Sequence, residues 1–213
     1  MGFYERRILP KLLDMMMNTP ENDLLRQEVL APARGRLLDL GFGSGLNAAH
    51  YPAAVTSVVG IDPNPGMEKL ARQRVSAATM PIRFQIGSAE RLPFTDASFD
   101  TVVTTLTLCT IDDVQAALRE ARRVLTPDGR YVLFEHGLSE EPQVQKWQHR
   151  LNGLNMRMLG HCRLNRPIAT LVTDAGFTFQ TVKQAWLPGA PKFAGWMTLG
   201  VAVPTQPANR LTI

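Results

Sequence analysis

Short apolar runs and longer amphipathic stretches alternate along the chain from about residue 36 onward. The apolar runs are rich in Val, Ile, Leu and Thr, which favours strands at 36–40, 57–62, 82–87, 100–108, 130–136, 177–187 and 196–203. Apolar residues at helical spacing predict helices at 45–53, 66–78, 111–125, 141–159 and 165–175. The pattern therefore predicts a regular succession of strands and helices.

This succession predicts the layout of a sheet. Strands that alternate with helices form a parallel sheet with helices on both faces. Only residues 188–195 separate the last two predicted strands, which is too short for a helical crossover, so these strands should form an antiparallel hairpin. We therefore predict an α/β three-layer sandwich with a seven-stranded, mostly parallel sheet and a C-terminal antiparallel hairpin.

Two further amphipathic helices, at 3–17 and 21–31, precede the first predicted strand and have no strand with which to alternate. They should lie across the top of the sheet or along its flank. We therefore divide the chain into an N-terminal helical lid over 1–35, a main domain over 36–204 and a proline-rich tail over 205–213.

The composition narrows the possible functions. A chain of 213 residues is long enough for one well-packed domain, and its net charge of +4 comes from scattered basic residues, which argues against nucleic-acid binding. Its two cysteines, Cys109 and Cys162, are too few for a disulfide framework or a cysteine-based zinc site, so we expect a cytoplasmic protein without a metal. No apolar run is long enough to cross a bilayer, and the N-terminus lacks the features of a signal peptide.

The loop after the first predicted strand is rich in glycine, in the stretch LLDLGFGSGLNA over 37–48. Its second half, GSGLNA, matches the dinucleotide pattern G-x-G-x-x-G/A, whereas the register that begins at Asp39 has an acid two residues before the first glycine. Asp62 ends the second predicted strand, where a carboxylate can bind both hydroxyls of a ribose. The glycines and Asp62 suit NAD and S-adenosylmethionine equally.

Three features separate these two ligands. The carboxylate of Asp39 would repel a pyrophosphate but would suit the cationic amino group of a methionyl tail. No lysine follows the glycines, so the phosphate-binding P-loop pattern is absent. The segment 87–100, GSAERLPFTDASFD, offers backbone and side-chain polar groups to the edge of an adenine. Together these features favour S-adenosylmethionine.

Four sequence blocks carry a resemblance to a known family, and in chain order they are LDLGFGSG, GIDPNPGMEKLA, GSAERLPFTDASFD and LREARRVLTPDGRYVLFEHG. The chain resembles the Rossmann-like, class I S-adenosylmethionine-dependent methyltransferases of the methyltransferase type 11 branch. That branch includes the ubiquinone and menaquinone C-methyltransferases and the bacterial phosphatidylethanolamine N-methyltransferases. The resemblance implies a Rossmann-like fold, an enzyme, S-adenosylmethionine as cofactor with S-adenosylhomocysteine as its product, and a small-molecule acceptor.

The resemblance also implies a set of cofactor-binding residues on the loops that follow the first four strands. The set is Asp39, Gly41, Phe42, Gly43, Gly45, Asp62, Pro63, Met67, Ser88, Ala89, Glu90 and Leu106. Within it, residues 39–45 would cradle the methionyl end and Asp62 would bind the ribose hydroxyls. Pro63 and Met67 would flank the adenine, residues 88–90 would face its edge, and Leu106 would lie near the sulfonium.

The acceptor half of the chain carries a narrower resemblance. Its segments TLTLCTIDD, FEHG and HCRLNR resemble those of the thiol S-methyltransferases known from the mammalian endoplasmic reticulum and of their bacterial relatives. The catalytic candidates are His136, Cys109 and His161, and the last stands where those relatives tend to have glycine. The substrate-binding candidates are Tyr4, Cys109, His136, His161, Cys162 and Arg166. The hydrophobic N-terminal anchor of those relatives is absent, so we expect a soluble chain.

A thiol acceptor is chemically reasonable, because methyl transfer is an in-line displacement and thiolate is the reactive form of a thiol. The apolar face of the helix at 3–17 would help to select a small lipophilic thiol or hydrosulfide. In the main alternative, Arg6, Arg7 and Lys11 meet a membrane surface, and the acceptor is phosphatidylethanolamine or another small molecule methylated at N, O or C. A non-catalytic cofactor-binding module is a further alternative, and the sequence predicts no particular oligomeric state.

Overall fold

The computed structural model describes residues 2–205. The strands of its sheet are β1 Gly35–Leu40, β2 Val55–Asp62, β3 Ile82–Ile86, β4 Phe99–Thr105, β5 Leu125–His136, β6 Phe177–Trp186 and β7 Trp196–Pro204. Its α-helices are α1 Leu9–Met17, α2 Pro20–Leu30, α3 Glu68–Ala77, α4 Val114–Val124, α5 Pro142–Met158 and α6 Ile168–Asp174. A π-helical turn, Tyr4–Ile8, leads into α1, and a 3-10 turn, Leu46–Ala49, follows the glycines. None of these helices is both long and apolar enough to cross a membrane.

The strands form one sheet in the order β3-β2-β1-β4-β5-β7-β6. The pairs among β1 to β5 are parallel, whereas β7 runs antiparallel to both β5 and β6. The predicted α/β sandwich with a C-terminal antiparallel hairpin is thereby confirmed. Because the strand order reverses between β1 and β4, the carboxyl ends of these two strands flank the crevice in which open α/β sheets bind ligands.

The central strands of the sheet are buried on both faces, which explains why they are nearly continuous apolar runs in the sequence. Successive residues of a strand pack into the two cores on opposite faces of the sheet. Leu38 and Val102 belong to the core that includes α4 and α6, while Leu37 and Val103 belong to the core that includes α2. Full burial of such a side chain stabilises the fold by roughly 1.5–3 kcal/mol, so the central strands form a rigid base for the loops above them.

Two predicted elements differ from the structure. The helix predicted at 45–53 is only the turn Leu46–Ala49, which starts from Gly45 in the left-handed region at φ 83°. The fifth strand begins earlier than predicted, because its pairing with β4 starts at Leu125 and resumes at Arg130. The Pro-Asp-Gly turn between these two residues forms an irregularity inside the strand instead of preceding it.

The N-terminal turn, α1 and α2, which we call the helical cover, contact both sides of the ligand-binding edge. The hydroxyl of Tyr4 donates to the carbonyl of Met158 at the end of α5, at 2.8 Å. On the other side, Asn64 Nδ2 donates to the carbonyl of Glu5 at 3.1 Å. The predicted division of the chain into lid, main domain and tail stays a prediction, and residues 206–213 of the tail lie outside the described residues.

Candidate active site

A cavity of about 560 Å³ opens at the carboxyl ends of the strands. The glycine loop, the loop after β4, the helical cover, the C-terminal end of α5 and the segment before β7 line it. Predicted site residues from both halves of the chain take part, namely Gly41, Phe42, Gly43, Met67, Leu106, Cys109, His136 and Cys162. The structure thus brings the predicted cofactor loop and part of the predicted acceptor site to one cavity.

The glycine loop requires glycine both for its backbone conformation and for space. Gly41, Gly43 and Gly45 have positive φ angles of 71°, 55° and 83°. A side chain at Gly41 would also collide with Thr107 in the loop after β4. The loop therefore presents bare backbone to the cavity, and a ligand can approach it closely.

Asp39 is fully buried at the end of β1, with one carboxylate oxygen satisfied and the other not. Its Oδ2 accepts hydrogen bonds from the hydroxyl of Tyr51 at 2.5 Å and from Asn47 Nδ2 at 2.8 Å. Its Oδ1 has no partner among residues 2–205. Burial raises the pKa of Asp39 to about 6, although the two hydrogen bonds oppose the rise. An ammonium group would satisfy Oδ1 and favour the carboxylate, so the site fits the methionyl end of S-adenosylmethionine.

Asp62 ends β2 and ties the glycine loop to the next loop of the edge. Its Oδ2 accepts from the backbone N–H of Gly43 at 2.9 Å, and its Oδ1 accepts from the backbone N–H of Asn64 at 2.8 Å. Burial raises the pKa of Asp62 to about 6, and both backbone hydrogen bonds oppose the rise. A carboxylate held in this way keeps free lone pairs, which suit the ribose hydroxyls of its predicted role.

The other predicted cofactor residues lie around these loops. Met67 lines the cavity. Phe42 lines the cavity and also packs against Phe84, with ring centroids 5.6 Å apart. Pro63 and residues 88–90 follow β2 and β3 and lie outside the lining of the cavity. Their predicted contacts with the adenine stay predictions.

Sequence reasoning missed three charged residues of the helical cover that line the cavity, Asp14, Glu21 and Arg26. Arg26 is only 3% exposed, and its Nη1 donates to the carbonyl of Met17 at 3.0 Å, while its Nε has no partner in the described part of the chain. Burial lowers the pKa of Arg26, and the charges of Asp23 and Asp39 counteract this effect. A buried guanidinium near Asp39 suits a ligand that carries a carboxylate beside its ammonium. The signal in the sequence was an arginine at helical spacing from the buried residues of α2.

Arg74 of α3 fixes the helical cover to the glycine loop. Its Nη1 donates both to Asp14 Oδ1 at 2.8 Å and to the carbonyl of Ser44 at 2.9 Å. Burial acts to raise the pKa of Asp14, but the hydrogen bonds and charge of Arg74 outweigh it and keep the pKa below its usual value. Asp14 is therefore a carboxylate at neutral pH and can hold Arg74 in place.

At the acceptor end of the cavity, Cys109, His136 and Cys162 come together from three separate elements. Cys109 lies in the loop after β4, His136 ends β5, and Cys162 follows α5. The sulfur atoms of the two cysteines and one ring nitrogen of the histidine all lie within 4.8 Å of one another. His136 Nε2 is 3.2 Å from Cys162 Sγ. Sequence reasoning named all three residues, and the structure adds that they form one cluster.

Glu135 holds the loop that carries Cys109. Its buried carboxylate accepts from the backbone N–H of Thr107 at 2.9 Å and from that of Leu108 at 3.1 Å. Burial raises the pKa of Glu135 to about 7, although these hydrogen bonds lower it. The loop is thereby fixed to β5, the strand that also carries His136.

The two thiols of the cluster have opposite pKa shifts. The closeness of the two sulfurs lowers the pKa of Cys162 and raises that of Cys109, and His136 lowers the pKa of Cys162 further. Burial acts to lower the pKa of His136, but its hydrogen bond to Cys162 and the charge of that thiolate outweigh burial and raise it. The cluster therefore favours a thiolate on Cys162 paired with a proton on His136.

Three predicted acceptor-site residues lie outside the lining of the cavity. Arg166 is buried and donates to the backbone carbonyls of Leu108 and Ile111, so it supports the loop after β4 instead of facing a ligand. The side chain of His161 is exposed, because its backbone turns through the left-handed region at φ 67°. The hydroxyl of Tyr4 is used to fasten the helical cover to α5.

Comparison with known proteins identifies the family. Residues 38–133 match the family model described as a methyltransferase domain. The chain is 36% identical to the uncharacterized methyltransferase YcgJ of Bacillus subtilis, over 57% of this chain and 49% of that protein, and so spans about half of that relative's length. It is 32% identical to thiol S-methyltransferase TMT1B of Rattus norvegicus, over 75% of this chain and 68% of that protein. With TMT1B of Homo sapiens it shares 30% identity over 90% of this chain and 83% of that protein.

Solved structures share the fold. The crystal structure of YcgJ has a TM-score of 0.67 at 22% identity, covering 86% of this chain and 97% of that one. A Thermotoga maritima protein, described as an S-adenosylmethionine-dependent methyltransferase and possible histamine N-methyltransferase, has a TM-score of 0.68 at 21% identity over 94% and 97% of the two chains. The sheet, the buried acid at its glycine loop and these relatives agree, and the chain belongs to the methyltransferase-domain family.

Proposed function

We propose that this methyltransferase transfers the methyl group of S-adenosylmethionine to the sulfur of a small lipophilic thiol or of hydrosulfide. The observation that carries the proposal is the cluster of Cys109, His136 and Cys162, which lines the same cavity as the glycine loop. His136, which lowers the pKa of Cys162, would also lower the pKa of an acceptor thiol bound beside it. The relatives named as thiol S-methyltransferases support the same acceptor class. Membership of an enzyme family disfavours the non-catalytic binding module.

The residues around the glycine loop would hold the cofactor, which supplies an electrophilic methyl group on a sulfonium. Asp39 would bind the methionyl ammonium through the oxygen that has no partner in residues 2–205. Arg26 would bind the methionyl carboxylate, and Asp62 would accept the ribose hydroxyls. Leu106 has a left-handed backbone at φ 54°, which turns the chain at the end of β4 and exposes this loop to the cavity.

His136 would activate the acceptor. The acceptor thiol would lose its proton to solvent, and the protonated imidazole would stabilise the thiolate that remains in the cavity. The thiolate sulfur forms a bond to the methyl carbon while the bond from that carbon to the donor sulfur breaks, which gives a thioether and S-adenosylhomocysteine. The imidazole keeps its proton throughout, so the site returns to its starting state when the products leave.

The rest of the cavity wall suits a lipophilic acceptor. Apolar side chains line it from α1, from the region after α5, from the segment before β7 and from β7 itself. They include Leu13, Met16, Met17, Leu159, Leu164, Leu187, Pro188, Ala190, Pro191, Ala194 and Met197. A wall of this kind excludes water from the sulfonium and the thiolate. The cavity of about 560 Å³ must also hold the methionyl end of the cofactor, so the acceptor should be small.

The test is a panel of acceptors supplied with methyl-labelled S-adenosylmethionine. Alkyl thiols, aryl thiols and hydrosulfide form one arm, and alcohols, phenols and amines with the same carbon skeletons form the matched arm. We expect kcat/KM for the thiols to exceed that of their matched compounds by at least about 10-fold. Preferential labelling of an amine, a phenol or phosphatidylethanolamine would contradict the proposal.

One observation supports phosphatidylethanolamine as a second candidate. Phe3 is 76% exposed and Ile8 is 49% exposed, and they flank the turn that carries Arg6 and Arg7. An apolar surface with adjacent cations can rest on anionic headgroups. Sedimentation with anionic liposomes separates the candidates, because a lipid acceptor requires the protein in the pellet and a small thiol does not.

A further inference from the structure

We propose that Cys109, His136 and Cys162 form a binding site for a soft divalent cation, for which Zn²⁺ is the probe. The three ligand atoms all lie within 4.8 Å of one another, and the Nε2–Sγ distance between His136 and Cys162 is 3.2 Å. In a tetrahedral zinc site, with bonds of about 2.0–2.3 Å, neighbouring ligand atoms lie roughly 3.3–3.8 Å apart. The cluster is therefore close to a ligand arrangement, and small side-chain rotations complete it.

The ligand types match this class of cation. Thiolate sulfur and imidazole nitrogen select zinc and other soft or borderline metals over magnesium and calcium. Two cysteines alone are too few ligands, but the end of β5 adds His136 as the third. Two thiolates and a neutral imidazole carry two negative charges, which a divalent cation neutralises inside a buried wall.

The backbone around each cysteine is held in place before any metal binds. The carbonyl of Cys109 accepts from the backbone N–H of Arg163 at 2.9 Å. The carbonyl of Cys162 accepts from Asn155 Nδ2 at 2.8 Å. Ligands supported in this way lose little freedom on metal binding, which favours affinity.

Glu135, next to His136 in the chain, leaves the fourth coordination position of the metal open. Both oxygens of Glu135 accept backbone hydrogen bonds from Thr107 and Leu108, so this acid is committed to the loop. The three ligands also line the cavity, so a metal held by them would have its remaining position towards the cavity. Three protein ligands with one open position are typical of catalytic zinc sites, whereas structural sites are closed by four.

The role of the metal rests on the thiol acceptor proposed above. In the metal-loaded site His136 and Cys162 are ligands, so the cation takes over from the imidazole in stabilising the acceptor thiolate. An acceptor thiol that occupies the open position gives up its proton to solvent and binds as a thiolate. Its sulfur then forms the bond to the methyl carbon while the carbon–sulfur bond of the donor breaks. The thioether product is a weaker ligand than the thiolate, so the position becomes free again.

The experiment measures metal binding by the full chain, with reductant and without cofactor or acceptor. After zinc loading and removal of free metal, we expect about one Zn²⁺ per chain by elemental analysis. Replacement by Co²⁺ should give thiolate-to-cobalt charge-transfer absorption and the visible bands of a tetrahedral site. Cys109→Ser, Cys162→Ser and His136→Ala should each weaken zinc binding at least about 10-fold, whereas the exposed His149→Asn should not.

Circular dichroism of each variant confirms that it is folded, so that loss of metal is not loss of structure. Absence of stoichiometric zinc from the folded parent protein would overturn the proposal. Metal binding that survives in both cysteine variants, or cobalt absorption without thiolate charge transfer, would overturn it as well. These readouts involve no methyl transfer, so the acceptor panel decides the proposed function separately.

Discussion

His136 Nε2 lies 3.2 Å from Cys162 Sγ, although 26 residues separate the two in the chain. The histidine ends a central strand, and the cysteine follows the helix against which the helical cover is fastened. Their contact therefore joins the rigid sheet to the part of the cavity wall that follows α5.

Replacing His136 with alanine should lower turnover at least about 10-fold and leave the affinity for S-adenosylmethionine within about two-fold. The reason is that the imidazole lies at the acceptor end, away from the residues that would hold the cofactor. Steady-state kinetics with a thiol and calorimetry with the cofactor measure the two quantities. His149→Ala, at an exposed position on α5, is the matched control. Unaltered turnover in His136→Ala would place the acceptor chemistry elsewhere.

Asp62→Ala should weaken the binding of S-adenosylmethionine about 10-fold or more, on the order of 1.4 kcal/mol. The substitution removes the acceptor for the ribose hydroxyls and also releases the backbone N–H of Gly43. Calorimetric titration measures the loss. Asp96→Ala, at a side chain that is 79% exposed, controls for the removal of one negative charge. Equal affinities of Asp62→Ala and the parent protein would refute the assigned role.

The affinity for S-adenosylmethionine should rise between about pH 5 and pH 7.5. Burial raises the pKa values of Asp39 and Asp62 to about 6, and each must be a carboxylate to bind its part of the cofactor. Below these pKa values, the logarithm of affinity should fall with a limiting slope of about two per pH unit, and of about one in Asp62→Ala. A slope that is the same in both proteins would show that the deprotonation of Asp62 is not coupled to cofactor binding.

In the protein without cofactor, Asp39 and Asp62 make the stability fall as the pH rises, whereas the affinity for the cofactor rises over the same range. Because their folded pKa values are raised, their contribution to stability is present below the unfolded values of about 4 and is lost as the pH rises through about 6. Cofactor binding offsets this loss, so the increase in Tm that the cofactor causes should be larger at pH 7.5 than at about pH 5.

Arg26→Met should weaken the binding of S-adenosylmethionine at least about 10-fold, because the variant lacks the guanidinium for the methionyl carboxylate. The matched ligand is 5′-methylthioadenosine, which has no amino-acid tail, and its affinity should change less than about two-fold. Direct competition titrations measure both. If both ligands lose affinity equally, Arg26 acts through the fold and its hydrogen bond to Met17 rather than through the tail.

Arg166→Ala should lower the free energy of unfolding by roughly 2–3 kcal/mol, because the carbonyl of the buried Leu108 loses this donor and that of Ile111 keeps only Arg163. Urea unfolding measures the change. Arg72→Ala is the control, because this side chain is 74% exposed in its ion pair with Glu68, and it should cost less than about 0.5 kcal/mol. A change in Arg166→Ala as small as that of the control would show that the carbonyls do not depend on this arginine.

The sheet could be predicted because its signals are local. Strands such as 36–40 are buried over most of their length and therefore mainly apolar, and the short segment 188–195 allows only a hairpin. The helix at 45–53 was mispredicted because its apolar residues pack around a short turn, and periodicity does not show the left-handed start at Gly45. The sequence thus predicted helices and strands correctly where burial is regular, and less well where a single left-handed residue starts a turn.

The site could be predicted only in part, since it depends on how distant segments meet. Asp39, Asp62 and the glycines follow strands, so the fold alone brings them to the ligand-binding edge. Arg26 and Arg166 are both buried arginines, yet one lines the cavity and the other supports a loop. That difference follows from the docking of helices on the sheet, for which a single sequence carries no periodic signal.

The two hydrogen bonds of Arg74 have an entropic consequence. This side chain holds Asp14 of the helical cover and the carbonyl of Ser44 in the glycine loop at the same time. A glycine-rich loop has much conformational freedom, and here that freedom is lost when the chain folds rather than when the ligand arrives. The cofactor thus meets a preorganised cradle, and the free energy of its contacts remains available to orient the methyl group towards the acceptor.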